Sequence, residues 1–374
     1  MTMIKIIEVK SKKDLKTFIH LPFKIHKNHS QWLPPLLSDE WKVFDKKKNH
    51  SFEHCDTIMF LSEKDSEIVG RIMGIVNHAY NKGHHENNAR FAFMECFDDA
   101  DVFDALLNSV KDWAKQKKLD KLVGPLGFSD KDPQGFLIEG FDDPMSVMVT
   151  NCSFPYMVEH IERNGFGKKI DLVQYRARIP EQIPEFYQKV ADRVSRHGFK
   201  LMEFKKSRHM RPYVKAVFDL INEAYSDIYG FAPLQEIEAK EFSERFLPLL
   251  NPKFIKLVAN KEGKIVAFVV AMPDISGGFK KAKGRLFPFG FIHLLLSFKK
   301  ATQLNLLLGC VKDNIRNSGL DALMAVAMFN SAKEANLTVM DSHLVMEENV
   351  KMRAVMERLD STIYKRYRIF EKSL

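Results

Sequence analysis

One order of secondary-structure signals occurs twice along the chain, and this repeat limits the fold more than any other feature. Each half reads as a strand, helices, two strands joined by a short turn, and then strand, helix, strand, helix and strand. The short turns at 63–66 and 260–263 lie between apolar runs, as in a hairpin-type connection. The repeat is one of pattern, since the halves share almost no sequence. It predicts an α/β fold with a mixed sheet, in two copies at 1–181 and 182–374.

The composition indicates a globular protein with a surplus of positive charge. Of 374 residues, 45% are hydrophobic and 28% are charged, which is typical of packed domains. The 57 Lys and Arg against 48 Asp and Glu give a formal charge of +9, which suits anionic lipid, a phosphate-rich cofactor or nucleic acid. The lysine clusters are short and scattered, and no aromatic side chains interleave with them as a stacking platform. We therefore expect no nucleic-acid partner.

Neither a metal nor a disulfide framework is expected. The four cysteines are far apart and form no Cys-x-x-Cys pair. The histidines of the polar segment 77–88 have no carboxylate or cysteine at ligand spacing, so we read that segment as a solvent-exposed loop. The N-terminus lacks the features of a signal peptide, and no apolar run reaches the ~18 residues needed to cross a bilayer. These features predict a cytoplasmic protein.

The best candidate for a binding site is a strand, a polar turn and a helix in the second half. Gln303–Val311 is an apolar run of strand type, and Leu320–Ala335 carries apolar residues at helical spacing. The turn at 312–319 would leave unpaired N–H groups at the helix start, which suit a phosphate. Lys312 and Arg316 lie in this turn, and arginine can hold a phosphate through two hydrogen bonds. The alternative is an ordinary connection that binds nothing.

Two short motifs give this region a family resemblance. Residues 316–321 read Arg-Asn-Ser-Gly-Leu-Asp, and residues 347–349 read Glu-Glu-Asn. With the repeated order of elements, they resemble the GNAT superfamily of acyl-CoA N-acyltransferases. In that fold a central strand splays from its neighbour, the pantetheine arm lies in the gap, and an Arg/Gln-x-x-Gly-x-Gly/Ala loop surrounds the pyrophosphate. The chain matches at Arg316 and Gly319 and differs at Asp321, where a small residue is usual. The resemblance implies that acyl-CoA is bound by Val311, Lys312, Arg316, Asn317, Ser318, Gly319, Leu320 and Asn349.

Further motifs along nearly the full length are similar to a narrower group of two-GNAT-domain bacterial proteins. They are VGRI at 69–72, FAFMECFDD at 91–99, GP at 124–125, GFLIEGFD at 135–142, NGF at 164–166 and YKRYRIFEK at 364–372. The group includes YghO-like proteins and bacterial ceramide synthase-like N-acyltransferases. The resemblance implies transfer of an acyl group, from acyl-CoA or an acyl carrier protein, to the amine of a sphingoid-type base or another amine.

Acyl transfer to an amine needs a proton acceptor, and the sequence offers several carboxylates and one histidine. Glu95 lies in a predicted central strand of the first half. Asp341 and His343 share one face of a strand predicted over Leu337–Val345, and Glu347 follows that strand. A carboxylate and a histidine on one face could deprotonate an ammonium group. The alternative is a polar pair that only satisfies itself at a strand edge.

Two departures from the family pattern concern the leaving thiolate and the first half. The tyrosine that the family places in the last helix is absent, because Met356 occupies that place, so Tyr364 or Tyr367 would have to protonate the thiolate. In the first half, the turn at 98–101 reads Asp-Asp-Ala-Asp, which would repel a pyrophosphate. We expect only the second half to hold acyl-CoA. These departures favour an alternative, a non-catalytic GNAT-like protein that binds a lipid, acyl-CoA or a partner.

An apolar insertion, 285–300, interrupts the second half and is flanked by cations. It is too short to cross a bilayer. It could lie in a membrane interface, line a tunnel for an acyl chain, or form an ordinary buried helix. We expect peripheral contact with a membrane through 285–300.

Overall fold

The computed structural model describes residues 3–145, 150–247 and 250–374, apart from the side chains at 245 and 246. In the first half, the strands are β1 (Lys5–Glu8), β2 (Cys55–Lys64), β3 (Glu67–Asn77), β4 (Asn88–Cys96), β5 (Lys121–Gly124), β6 (Phe136–Glu139) and β7 (Gly167–Arg178). The helices there are α1 (Lys12–Ile25), α2 (Leu37–Val43), α3 (His78–His84), α4 (Ala100–Gln116) and α5 (Pro155–Arg163).

The second half repeats this order with two additions. Its strands are β8 (Lys200–Glu203), β9 (Ile255–Ala259), β10 (Ile265–Pro273), β11 (Gln303–Val311), β12 (Val339–Ser342), β13 (Val345–Met346) and β14 (Thr362–Ser373). Its helices are α6 (Glu185–Arg196), α7 (Val214–Ala224), α8 (Glu236–Phe246), α9 (Ser276–Ala282), α10 (Gly290–Lys300), α11 (Leu320–Glu334) and α12 (Val350–Glu357). The additions are α6 before the first strand and a second helix between β10 and β11, where α9 and α10 stand in place of the single α3.

The last strand of each half pairs with the other half. β14 pairs with β5, β7 pairs with β12, and β7 and β14 lie antiparallel to one another between them. The described strands therefore form one sheet in the order β1-β2-β3-β4-β5-β14-β7-β12-β11-β10-β9-β8, with β6 beside β14 and β13 beside β7. The sequence predicts two separate copies, whereas the structure joins them through this exchange. The division at 181/182 stays a prediction.

In both halves a parallel strand pair separates after a few residues. β4 pairs with β5 only at Asn88–Arg90, and β11 pairs with β12 only at Gln303–Leu306. β4 then continues to Cys96 and β11 to Val311 without that neighbour. We call the space beside 91–96 the first gap and the space beside 307–311 the second gap. They are the splay that the resemblance implies.

Helices cover both faces of the sheet, because successive residues of its strands pack in opposite directions. In β3, Ile72 packs with α4 and its neighbour Met73 packs with α1. In β10, Ala267 packs with α6 and α11, whereas Phe268 packs with α7. The sheet is thus the central layer of three, and the gaps open within it.

Four predicted segments differ from the structure. The loop predicted at 77–88 contains α3, because the Asn77 side chain accepts from the Tyr80 amide and so caps a helix. Residues 130–144, which their Asp, Gly and Pro content predicts to be a loop, contain β6, and the strand predicted over Leu337–Val345 is two short strands. The sequence also predicts a helix over Leu234–Leu249; it is observed as α8, and residues 248 and 249 lie outside the described residues.

Candidate functional site

The turn between β11 and α11 presents helix-start amides beside the second gap. Gly319 is the N-cap of α11, with φ of +90°, and within the described residues no side chain caps this helix. The first amides of a helix have no acceptor inside it, and they suit an anion. A Cβ at Gly319 would lie 2.5 Å from Val190 Cγ1 of α6. Both the positive φ and this close packing require glycine here.

The cations of this turn are paired with acids. Lys312 Nζ lies 3.2 Å from Glu223, and the Arg316 guanidinium forms an ion pair with Asp313. Ser318 Oγ is buried and has no hydrogen-bond partner in the part of the chain that the structure describes. The turn therefore combines helix-start amides, one buried hydroxyl and two cations. To bind a phosphate, each cation would have to leave the carboxylate with which it is paired.

Of the other residues predicted at the cofactor, Asn317 has φ of +67° and lets the chain turn into the helix. The Leu320 side chain is buried in the core, so only its backbone amide could reach a ligand. The Val311 carbonyl lies 3.4 Å from Arg316 Nε. Asn349 belongs to another turn, at the N-cap of α12, where its side chain accepts from the Met352 amide at 3.1 Å.

At the equivalent helix start in the first half, an aspartate side chain occupies the first amides. Asp99 is the N-cap of α4, and its carboxylate accepts from the amides of Asp101 and Val102. The same carboxylate is ion-paired with Lys64. The amides that would meet a phosphate are therefore occupied, and a carboxylate stands where the phosphate would be.

A buried carboxylate joins the two halves near the second gap. Asp341 is fully buried and accepts from Arg176 at 2.9 and 3.0 Å, Tyr364 Oη at 2.7 Å and Gln303 Nε2 at 3.0 Å. The hydrogen bonds to Asp341 raise the pKa of Arg176. Arg176 comes from β7 and Tyr364 from β14, so the strand exchange assembles this cluster. The geometry is that of a satisfied polar cluster that holds the Tyr364 ring in place.

His343 lies where the second gap opens. Its amide donates to the Leu306 carbonyl at 2.9 Å, which is the last link between β11 and the chain after β12. β12 ends before it because the Ser342 hydroxyl, rather than a main-chain carbonyl, accepts from the Tyr175 amide. Asp341 and His343 therefore do not share one continuous strand, contrary to the predicted alternation. Burial lowers the pKa of His343 to about 4, so its imidazole is neutral at pH 7 and can accept a proton.

Glu347 lies among cations of the exchanged strands. It is ion-paired with Arg366 of β14 and lies 3.4 Å from Lys168 of β7. Burial opposes ionisation of this carboxyl, but Arg366 and Lys168 together leave its pKa below the ordinary value. Glu347 thus helps to hold β7 and β14 together. Tyr367, the second tyrosine named for the thiolate, is buried, and its hydroxyl lies 3.2 Å from Gln174 Oε1.

Glu95 begins a chain of polar side chains beside the first gap. It is ion-paired with Arg71 at 3.2 Å and lies 3.6 Å from His26 Nε2. His26 Nδ1 lies 2.9 Å from His29 Nδ1, and His29 Nε2 lies 3.8 Å from Cys152 Sγ. Burial alone would raise the pKa of Glu95, but Arg71 and His26 lower it to about 2, and burial lowers the pKa of His29 to about 4. At pH 7 the carboxylate is charged and the His29 imidazole is neutral.

The sequence analysis missed Arg176, Gln303, His26, His29 and Cys152. They lie far apart in the sequence and belong to no motif, so the fold alone brings them to Asp341 and Glu95. The part of the chain that the structure describes holds no group of three or more His, Cys, Asp or Glu side chains able to bind an ion. None of the described helices combines the length and apolar character needed to cross a membrane.

Comparison with known proteins finds full-length relatives in sequence and solved structures of similar fold. No family model matches the chain. It is 26% identical over 378 aligned residues to a bacterial ceramide synthase from Caulobacter vibrioides, covering 99% of this chain and 98% of that protein. It is 27% identical over 372 residues to protein YghO from Escherichia coli, covering 97% and 94%. Among solved structures, a tandem GNAT protein from the clavulanic acid biosynthesis pathway covers 99% of this chain and 98% of its own, with a TM-score of 0.56 at 10% identity.

Proposed function

We propose that this chain, which has the tandem GNAT fold, is an N-acyltransferase that transfers an acyl group from a thioester to a primary amine. The donor in this proposal is acyl-CoA or an acyl carrier protein, and the acceptor is a sphingoid-type lipid base. Similarity over the full length to a protein named bacterial ceramide synthase supports this class of acceptor. The observation that carries the proposal is the second gap, which lies beside a helix start that no described side chain caps.

On the donor side, the edge of β11 at 307–311, beyond its pairing with β12, would take the pantetheine arm, and the turn at 312–319 the phosphates. The Tyr225 hydroxyl, which accepts from the Gly309 amide at 3.2 Å and donates to its carbonyl at 3.1 Å, would have to leave this edge first. Arg316 would leave Asp313 and Lys312 would leave Glu223 when a phosphate enters. Ser318 Oγ, buried without a described partner, supplies a further donor for the same group.

On the acceptor side, His343 is the group whose position suits a base, and its pKa of about 4 would have to rise when the substrate binds for it to hold a proton. Its neutral imidazole lies where the second gap opens, and could take the proton that the ammonium must lose before the amine attacks the thioester carbonyl. The carbon–sulfur bond then breaks, and the thiolate needs a proton. In this proposal Tyr364, whose hydroxyl donates to Asp341 in the free protein, turns to the thiolate and gives it this proton, and Tyr364 regains a proton from the nitrogen of the new amide. Asp341 would position Tyr364, and Glu347 would support both strands. Glu95, with a pKa of about 2, would stay charged and would influence the reaction only by way of His26 and His29, which follow it in the polar chain.

The second candidate is a GNAT-like protein that binds a lipid or acyl-CoA, or interacts with a partner, without turnover. The ion pairs of Lys312 and Arg316 with acids favour it, because both cations are already neutralised in the free protein. This candidate predicts binding of the thioester without release of the thiol.

One assay separates the two. The full chain is incubated with acetyl-CoA, palmitoyl-CoA or a palmitoyl acyl carrier protein, with and without sphinganine, and free thiol and amide are measured together. N-acetylated sphinganine, which has the same chain but no free amine, is the matched control acceptor. Equal amounts of thiol and amide, only with the free amine, would support the enzyme. Tight binding of donors without either product would establish the second candidate instead.

The acceptor class also suggests where the protein works. A long-chain base partitions into membranes, so we place the protein in peripheral contact with a membrane through 285–300 as part of the same proposal. The structure of this segment allows a more specific statement.

A further inference from the structure

Exposed apolar side chains concentrate in one short segment. Of the eleven large hydrophobic side chains that are exposed in the described residues, six lie within ten consecutive positions. They are Phe287 (79% exposed), Phe289 (69%), Leu295 (58%), Leu296 (48%), Phe291 (43%) and Ile292 (41%). We call these six the apolar edge. A contiguous apolar patch of this kind on a globular protein marks an interaction surface.

The apolar edge is a defined face of a helix. Phe291, Ile292, Leu295 and Leu296 recur at the spacing of one side of α10, whereas Leu294 on the other side is buried. Phe287 and Phe289 precede α10 and extend the same edge, with the Phe287 and Phe291 rings 6.2 Å apart. α10 therefore has one face toward the protein and one face without a described partner.

The protein body holds this segment firmly. α9 and α10 pack so closely at Gly278 that a Cβ there would lie 2.8 Å from the His293 carbonyl oxygen. Lys280 Nζ donates to the Ser30 carbonyl at 2.7 Å, and the Leu37 amide donates to the Gly284 carbonyl at 2.9 Å. The apolar edge thus points outward from an anchored helix pair, so its exposure does not come from a loose segment.

The charged side chains along the segment that carries the apolar edge have one sign. Between Asp274 and Asp313 there is no acidic residue, whereas 276–300 contains six Lys and Arg. Five of these cations are exposed: Lys281, Lys283, Arg285, Lys299 and Lys300. Cations that flank an apolar helix face attract anionic headgroups while the apolar side chains enter the acyl region.

We infer that α9–α10 is a docking surface for an anionic lipid bilayer, with the apolar edge inserted at the headgroup–acyl boundary. α10 has 11 residues, too few to cross a bilayer of ~20 helical residues, so it lies in the plane of the interface. A second copy of this chain fits less well, because a symmetric contact would bring two sets of these cations together.

The docking surface lies directly over the first-half polar chain. The buried side of the helix pair, with Phe279 and Leu294, packs in one cluster with Cys152 and Leu33. Cys152 is the end of the chain that starts at Glu95. Docking would therefore hold the interior of the protein close to a membrane that contains the acceptor. In its link to turnover this inference rests on the proposed function, but bilayer binding itself is measured independently.

The test is co-sedimentation of the full chain with vesicles of phosphatidylcholine alone or mixed with phosphatidylglycerol. We expect binding to the anionic vesicles that is at least tenfold tighter than to the neutral ones and that weakens with salt. The double variant Phe287→Ser with Phe289→Ser should lose at least tenfold in binding, since both side chains insert. Phe186→Ser is the matched control, because Phe186 is 62% exposed on α6, outside the segment.

The variant Lys299→Glu with Lys300→Glu should lose the preference for anionic vesicles. Equal binding by the double phenylalanine variant and the wild type would overturn the inference. A second result would also overturn it: a wild-type dimer, seen by analytical ultracentrifugation, that the double phenylalanine variant loses, with no vesicle binding by the wild type. A second copy of the chain would then be the occupant.

Thiol release with a water-soluble short-chain amine should be the same in the double phenylalanine variant and the wild type. Vesicle binding without any amide product would refute the proposed function and leave the docking surface standing.

Discussion

The helices that follow the two splayed strands begin in opposite ways. α4 starts at Asp99, whose carboxylate occupies the helix-start amides, whereas α11 starts at Gly319 without a described side-chain cap. The strands that lead to them separate from their neighbours in the same manner. The same fold thus occurs twice with different helix starts: the Asp99 carboxylate occupies the amides of α4, whereas those of α11 remain available to an anion. The difference depends on the residues at a single turn, so substitutions there can test it.

The largest effect is expected at Gly319. Gly319→Ala forces a side chain into a positive φ and against Val190, so the turn must move. We expect a loss of ~1–3 kcal/mol in the free energy of unfolding and at least a hundredfold weaker acyl-CoA binding, measured by urea denaturation and calorimetry. Gly263→Ala is the matched control, since Gly263 also has a positive φ (+77°) but no atom within 4 Å of its Cβ position. Unchanged acyl-CoA affinity in Gly319→Ala would remove this turn from the site.

The next effect is charge reversal at the two helix starts. Arg316→Glu should weaken acyl-CoA binding at least tenfold, because a carboxylate would face the phosphates. Lys64→Glu reverses the cation that pairs with Asp99 in the first half and should leave that affinity unchanged. Calorimetric titration of both variants with the same acyl-CoA gives the comparison. Equal losses in both would contradict an assignment of the donor to the second half.

The two halves also show what the sequence could and could not predict. The tandem GNAT-like mixed α/β fold is confirmed, and β11 has the predicted bounds, Gln303–Val311. Its apolar run lies between clear turn residues, so local pattern alone was sufficient. The exchange of β7 and β14 could not be predicted, because both are ordinary closing strands whose pairing joins residues nearly 200 positions apart. Pattern reports which segments are strands, but not which strands pair.

The same limit applies to the candidate site. The turn at 312–319 was found because its residues are contiguous. Arg176 and Gln303 were missed, because their meeting with Asp341 depends on the exchange. The continuous strand predicted through Asp341 and His343 was wrong, because β12 ends at Ser342, whose hydroxyl accepts from the Tyr175 amide. Side-chain hydrogen bonds of this kind interrupt the periodicity on which such predictions rest. The roles assigned to Glu95, Asp341, His343, Glu347 and Tyr364 stay predictions.

A smaller effect is expected when the side-chain cap of α4 in the first half is removed. Asp99→Ala removes the cap of α4 and should cost ~1 kcal/mol in the free energy of unfolding. Acyl-CoA affinity should not change, and the number of sites should stay at one per chain, because the turn at 98–101 still carries Asp98 and Asp101. Denaturation and calorimetry measure the two quantities. Appearance of a second acyl-CoA site would mean that Asp99 alone separates the two halves.

A pH dependence is also expected, and each half should show it. Burial lowers the pKa of His29 and of His343 to about 4, whereas an unfolded histidine has a pKa near 6.5. Above pH 6.5 both states are neutral, and as the pH falls from 6.5 to 4 only the unfolded chain gains these protons, so stability falls over that window. His343→Gln should reduce the fall in the urea midpoint between pH 7 and pH 5, and His29→Gln should do the same in the first half. His209→Gln, at an exposed position, is the control and should leave the slope unchanged. An unchanged slope in His343→Gln would mean that the pKa of this imidazole is the same in the folded and the unfolded chain, so that burial does not lower it.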